Sequence, residues 1–90
     1  MLKPEYTNKF QKDLALMQKR GNKTDKLKTV ITKLINEDIP LPTQNRDHSL
    51  TGNFSGYREC HVEPDWLLVY YYYDDVVVFA RTGTHSDIFR

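Results

Sequence analysis

Apolar residues recur with a helical period in the first third of the chain and with a strand period in the last third. Phe10, Leu14 and Met17 share one stripe of a segment running from about Thr7 to Arg20. Gly21 follows as its stop, because glycine readily takes the left-handed conformation that ends helices. In a second segment Leu27, Val30, Ile31, Leu34 and Ile35 recur at i, i+3, i+4, i+7 and i+8, with Thr24 or Asn22 as N-cap. Lys23, Lys26, Lys28 and Lys33 lie mostly off that stripe, so one side of this helix meets a core and the other meets solvent or phosphate. Ahead of both helices, Leu2 to Tyr6 reads as an edge strand, since Pro4 is tolerated only where no ladder hydrogen bond is donated.

Pro40 and Pro42 end the helical pattern, and residues 38 to 55 read as a loop carrying His48, with Gly52, Asn53, Ser55 and Gly56 as turn formers. Three strands follow, Tyr57 to Val62, Trp66 to Tyr73 and Val76 to Thr82, joined by turns at Glu63-Pro64-Asp65 and Asp74-Asp75. The unbroken apolar run from Trp66 to Tyr73 predicts a central strand covered on part of both faces. Helices first and hairpins after predict an α+β fold of two layers, two amino-terminal helices on an antiparallel β-meander, in one domain spanning residues 1 to 90.

Composition narrows what such a domain can do. A chain of 90 residues buries only roughly 60% of its unfolded surface, so a site must be a surface groove rather than a deep cavity. The 39% hydrophobic and 28% charged residues argue for a globular protein and against disorder. The single cysteine, Cys60, cannot form an internal disulfide, and strand alternation points it inward rather than toward a nucleophilic role. No stretch approaches the roughly 20 apolar residues of a membrane span, and the first residues lack a signal-peptide pattern, so a cytoplasmic location with no membrane partner is expected. The net charge of +1 conceals an asymmetry: residues 1 to 36 balance at +6 and residues 37 to 90 at −5. The basic half is a candidate polyanion surface, because Lys and Arg gain affinity for phosphate by releasing counterions.

The remaining chemistry gathers in the second half. Alternation places Tyr57, Glu59 and His61 on one face of their strand, and Val77, Phe79 and Arg81 on one face of theirs. If the helices cover the opposite face, His61 and Arg81 project together into an open groove. Asp65 sits in the turn between strands, His85 follows the bend-forming Thr82-Gly83-Thr84, and His48 arrives from the loop. Imidazole, with an unperturbed pKa of about 6.5, either takes or gives a proton near neutrality. The histidine spacings of 13 and 24 residues match no compact zinc motif, so neither a metal nor another cofactor is expected. Arg81 has a structural alternative in an ion pair with Asp65 or Glu63, and Trp66 reads as core ahead of ligand platform. Phe89, close to the terminus, is the better candidate for stacking on a base.

At these residues the chain resembles a known family. Asp47-His48-Ser49-Leu50-Thr51-Gly52, Gly56-Tyr57-Arg58-Glu59-Cys60-His61-Val62-Glu63-Pro64-Asp65-Trp66 and Arg81-Thr82-Gly83-Thr84-His85-Ser86 look like the successive signatures of YafQ-type toxins in the RelE/ParE superfamily of bacterial toxin–antitoxin systems. The resemblance implies a RelE-like β-α-α-β-β-β fold and a messenger-RNA interferase that cuts transcripts in the ribosomal A site. Its implied partners are a cognate antitoxin, ribosomal RNA and mRNA, with DNA reached only through the antitoxin complex. By position, His85 is the expected general acid and Arg81 the group that stabilises phosphate charge, while His48, His61 and Asp65 all remain candidates for the base. Phe89 and Trp66 are the aromatic candidates for RNA contact, and Lys23, Lys26, Lys28 and Lys33 the cations that grip ribosomal RNA. A second reading keeps the fold without the chemistry, as a ParE-like toxin that inhibits a protein such as DNA gyrase. His48, His61, His85, Asp65 and Arg81 speak against it, because an interaction surface has no use for an acid/base set. An inactive RNA-binding module would need the lysines and Phe89 and be indifferent to His85.

Overall fold

The computed structural model describes residues 1–89. Strand β1 (Lys3–Tyr6) leads into helices α1 (Asn8–Lys19) and α2 (Asp25–Ile35), followed by β2 (His48–Ser49), β3 (Arg58–Glu63), β4 (Trp66–Tyr73), β5 (Val76–Gly83) and a short helix α3 (His85–Ile88). The five strands form one sheet in the order β1-β5-β4-β3-β2. The expected meander β3-β4-β5 is antiparallel, whereas β1 pairs with β5 in parallel, because α1 and α2 intervene before the chain returns to the sheet.

Both helices end where their sequences say they should. Thr7 caps α1 by accepting the Phe10 amide at 3.0 Å. After α1, Gly21 at φ +87° bonds through its amide to Gln18 O and Asn22 to Met17 O, both at 3.0 Å, which is the paired bonding of a Schellman stop. Thr24 is the N-cap of α2, although its side chain makes no cap hydrogen bond. The same stop closes α2, with Glu37 N bonding to Leu34 O and Asp38 N to Lys33 O, but here the left-handed position, at φ +57°, is held by Glu37.

The main core lies between the helices and one face of the sheet. Phe10, Met17, Leu27, Val30 and Leu34 pack there against Cys60, Leu68, Tyr70, Val77 and Phe79. On the other face a smaller cluster of Leu67, Val69 and Ile88 is partly covered by Leu50, Tyr57 and Phe89. The central strand β4 is thus buried on both faces from Trp66 to Tyr70, as its apolar run predicts, and emerges at its far end.

Two features depart from the sequence reading. His48 and Ser49 do not remain in a loop; they add a fifth strand, with His48 opposite Glu59 on β3. The second departure is a bulge in β5. Tyr70 faces Phe79 while the adjacent Val69 faces Arg81, so Ala80 is the extra residue. Val77 and Phe79 therefore point into the helix-side core, and Arg81 faces the opposite, open side. The expectation that Val77, Phe79 and Arg81 share one face fails for this reason, since period-2 alternation assumes an unbroken register.

The left-handed Glu37 yields a stability prediction. A non-glycine residue in this conformation costs about 1–2 kcal/mol, and glycine gives back roughly 0.5–1 kcal/mol in chain entropy. The ion pair of Glu37 with the terminal amine, at 3.6 Å, is solvent-exposed and adds little. Glu37→Gly should therefore raise stability by about 0.5–1 kcal/mol, which calorimetry would read as a Tm several degrees higher; an unchanged or lower Tm would contradict the strain argument.

Candidate active site

The open face of the sheet carries side chains in cross-strand rows. Glu59, Val69 and Arg81 make one row, and His61, Leu67 and Gly83 the next. Strand pairing therefore sets Arg81 two strands from Glu59, roughly 9–10 Å by backbone spacing. Around these rows the loops deliver the other polar groups.

His85 opens α3 directly after β5. Its Nδ1 lies 3.0 Å from Asp65 Oδ1, and its backbone amide donates to the same oxygen at 3.2 Å. These two bonds hold the Asp65 carboxyl below its ordinary pKa, the side-chain bond being the larger cause. With Nδ1–H directed to Asp65, Nε2 of His85 is left toward the groove. His61, whose ring centroid is 5.8 Å from that of His85, is oriented in the same way, with its Nδ1 3.1 Å from the Pro64 carbonyl. That carbonyl can only accept, so the proton of a neutral His61 sits on Nδ1 and Nε2 presents a lone pair.

His48 is bound differently. Its Nδ1 is 2.6 Å from Arg46 O and its Nε2 is 3.0 Å from Glu59 Oε2. The segment carrying His48 is pinned by Asp47, which accepts the Tyr70 hydroxyl and pairs with Arg58 at 3.3 Å. Glu59 itself is 5% exposed, and its second oxygen, Oε1, is buried without a hydrogen-bond partner among the described residues.

Arg81 is near this cluster but committed elsewhere. Its guanidinium bends over the free edge of β5 and grips Asp13 of α1 through Nε at 2.7 Å and Nη2 at 3.2 Å. Asp13 also accepts the Thr82 amide at 3.1 Å, so it closes the strand edge that β1 leaves unpaired. The structural alternative weighed for Arg81, an ion pair with Asp65 or Glu63, is not made; its partner is Asp13. Arg20 likewise clamps Asp87 through two bonds of 2.7 and 3.1 Å, which is the main reason the Asp87 carboxyl sits far below the usual carboxylate range. Asp87 in turn completes a capping box with Thr84 at the start of α3. A Cβ on Gly83 would meet Asp87 Oδ2 at 3.0 Å, so glycine here lets α3 fold close against the end of β5.

The structure therefore brings His48, His61, His85 and Asp65 together, with Arg81 at the margin. Trp66 does not belong to the group. It is 2% exposed in the helix-side core, donating Nε1–H to Thr82 Oγ1 at 2.9 Å, and presents no face to a ligand; the bulk that makes it a good platform is spent on packing. Phe89 is half-buried, edge-on to Phe54 at 4.9 Å and 6.4 Å from the His85 ring. The lysines of α2 split between faces. Lys26 and Lys33 pair with Glu63 and Asp38 and, with His61, are among the residues lining a groove of about 620 Å³, whereas Lys28 lies on the groove between α1 and α2. Sequence reasoning missed Glu59, Asp13, Arg20 and Asp87. For Glu59 the signal was available, since it alternates with His61 on the open face; the partners of the others depend on contacts 67 to 69 residues apart.

Residues 2–90 match the family model described as the bacterial toxin of type II toxin–antitoxin system, YafQ. The mRNA interferase toxin YafQ of Escherichia coli strain K12 is 48% identical over 85 residues, covering 94% of this chain and 92% of that protein. The crystal structure of the E. coli DinJ–YafQ complex superposes with a TM-score of 0.93 at 46% identity, with full coverage of both chains. A metal-bound toxin from Helicobacter pylori superposes at 0.91 with 38% identity, over 99% of this chain and 100% of that one. The chain belongs to the YafQ family of bacterial toxins of type II toxin–antitoxin systems.

The Arg20–Asp87 clamp predicts an acid-dependent weakness. The Asp87 and Asp65 carboxyls titrate below their ordinary 3.8, so the stability they add is fully present above about pH 4 and is lost as pH falls through their lowered values. Asp87→Asn should cost about 0.5–2 kcal/mol at neutral pH, the usual range for a lost cap, and should flatten the fall of Tm below pH 4. A variant with the wild-type acid profile would show that the clamp contributes nothing to stability.

Proposed function

We propose that this chain is a ribosome-dependent endoribonuclease that cleaves mRNA in the A site by metal-free acid/base catalysis, arrests translation, and is neutralised by a cognate antitoxin. The observation that carries the reading is the pairing of two histidines, His61 and His85, each tied at Nδ1 and open at Nε2, 5.8 Å apart between ring centroids. Cleavage of RNA at its own 2′-hydroxyl needs a base for that proton, donors for charge growing on the phosphorane, and an acid for the departing 5′-oxygen.

In this scheme Nε2 of neutral His61 takes the 2′-hydroxyl proton as that oxygen attacks phosphorus. His85, as the imidazolium, gives its Nε2 proton to the 5′-oxygen as the P–O bond breaks, leaving a 2′,3′-cyclic phosphate on one fragment and a 5′-hydroxyl on the other. Asp65 is engaged by the His85 ring and amide, which favours an orienting role for it over that of base. His48, held against Glu59, offsets a carboxylate that would otherwise repel the phosphate. Arg81 supplies positive charge from the margin, steadied by Asp13. Phe89, beside His85, is placed to stack on a base next to the scissile bond.

The groove lined by Lys26, Lys33, Asn45, Arg46 and His61 gives single-stranded RNA a cationic approach. With Lys23 and Lys28, these cations are the proposed contacts to ribosomal RNA. The E. coli relative in complex with DinJ supports an antitoxin partner for this chain too, with DNA reached only through that complex. Its similarity to a named mRNA interferase also favours cleavage over the ParE-like reading, in which no acid/base pair would be required.

Two outcomes test this. His85→Ala should leave the circular dichroism spectrum intact, because the ring is 55% exposed, while lowering cleavage by about 10²- to 10⁴-fold; full cleavage by the folded variant would remove His85 from the chemistry. Transcripts should be cut far faster in a translating extract than as naked RNA, and equal rates would overturn the ribosome requirement.

A further inference from the structure

An RNA strand that crosses the His61–His85 pair must continue past His85, and a chain of aromatic rings leads away from that point. Ring centroids run from His85 to Phe89 at 6.4 Å, on to Phe54 at 4.9 Å, to Tyr57 at 6.3 Å, to Tyr71 at 5.1 Å and to Tyr73 at 6.4 Å. We infer that this row of rings is a binding subsite for single-stranded RNA, which holds by stacking the bases on the 3′ side of the scissile phosphate.

The rings come from separate elements and meet only in the fold. Phe89 follows α3, Phe54 and Tyr57 lie ahead of β3, and Tyr71 and Tyr73 alternate with Val69 on the open face of β4. Helices α1 and α2 pack on the opposite face. Tyr71 and Tyr73 stand beside Val78 and Val76 of β5, which are buried although no helix layer lies above them. Covering two valines is a task that leucine would perform as well. Rings in unbroken contact back to His85 offer something leucine cannot, a series of π-faces that any base can stack on whatever its sequence. The packing angles suit that use. Phe89–Phe54, Phe54–Tyr57 and Tyr57–Tyr71 meet edge to face, at 78°, 72° and 79°. Each such contact covers a face of only one ring of the pair, so ring faces are left over for bases. Continuity with the two histidines favours the strand being cut as the occupant over a protein partner.

The polarity rests on the nuclease reading above. His85 gives its proton to the 5′-oxygen of the downstream nucleotide, so rings that begin at His85 receive downstream bases. His61 takes the 2′-hydroxyl proton of the upstream nucleotide, and the groove lined by Lys26 and Lys33 includes His61. The upstream strand is thus held by charge and the downstream strand by stacking.

Binding is measured on RNA that cannot be cleaved, so its failure is distinct from failure of the nuclease assignment. The probe is a fluorescein-labelled, fully 2′-O-methylated single-stranded oligonucleotide, titrated with the purified toxin and read by fluorescence anisotropy. Tyr71→Leu keeps an apolar cover beside Val78 and removes the ring; it should weaken binding at least about five-fold, and Phe54→Leu, from a different element, should do the same. Tyr71→Phe should bind as the wild type does. The loss in Tyr71→Leu should persist from low to high salt, because stacking releases no counterions. Wild-type affinity in both leucine variants, or a loss that Tyr71→Phe shares in full, overturns the subsite. So does weakened antitoxin binding with RNA binding intact, which would make these rings a protein surface. On ribosomes programmed with synthetic mRNA, Tyr71→Leu should raise KM at least about five-fold for a message that extends beyond the cut, and the rise should vanish for one that ends just after it. A rise of equal size on the shortened message overturns the 3′ assignment.

Discussion

The bulge at Ala80 is the constraint on which the arrangement of the open face depends. A strand with unbroken register would send Arg81 into the helix-side core after Val77 and Phe79, and would carry Thr82 to the open face. One extra residue reverses both. Thr82 can then accept the buried indole N–H of Trp66, and Gly83 falls in the row of His61, where the absence of a side chain lets α3 fold back against the sheet. The bulge is secured from α1. The Thr7 amide bonds to Phe79 O, its hydroxyl donates to Ala80 O at 2.8 Å, and Asp13 takes the Thr82 amide. Phe79, Ala80 and Thr82 of β5 are thus satisfied by the residue that caps α1 and by one on its second turn.

That coupling explains the placement of the two ion pairs on the shoulder of the site. Asp13–Arg81 and Arg20–Asp87 both join α1 to the segment that carries His85 and Phe89. Partly exposed pairs of this kind add little to global stability. Their bidentate geometry instead fixes direction, which an exposed four-residue helix could not do from its own hydrogen bonds. The price is that Arg81 has only its Nη1 free of protein bonds among the described residues, so any contact with phosphate is made by a guanidinium already neutralised in part by Asp13.

The fold was legible in the sequence wherever local rules decide it: the apolar stripe of α2, the glycine stop of α1, the two-residue turn at Asp74-Asp75 and the doubly buried run from Trp66. It was illegible wherever one residue upsets a period or a pairing spans the chain. Nothing local in Phe79-Ala80-Arg81 announces a bulge, and nothing in His48-Ser49 announces a strand, since two residues carry no periodicity. The site was legible by residue type, because three histidines and Asp65 do meet. The tautomers were not, because they depend on the Pro64 carbonyl, the Arg46 carbonyl and Asp65, partners defined only by folded geometry. Trp66 shows the opposite error: a large aromatic beside a functional block suggests a ligand platform, yet the bulge-dependent Thr82 hydroxyl draws it into the core.

Glu59 links the chemistry to the energetics of the fold. A buried carboxylate with one unpaired oxygen is tolerable only if the other is well bound, and that bond comes from a doubly hydrogen-bonded His48. Were Glu59 replaced by an apolar residue, His48 would lose its Nε2 partner, while Asp47 would still tie the segment to Tyr70 and Arg58. The carboxylate therefore serves first to place His48.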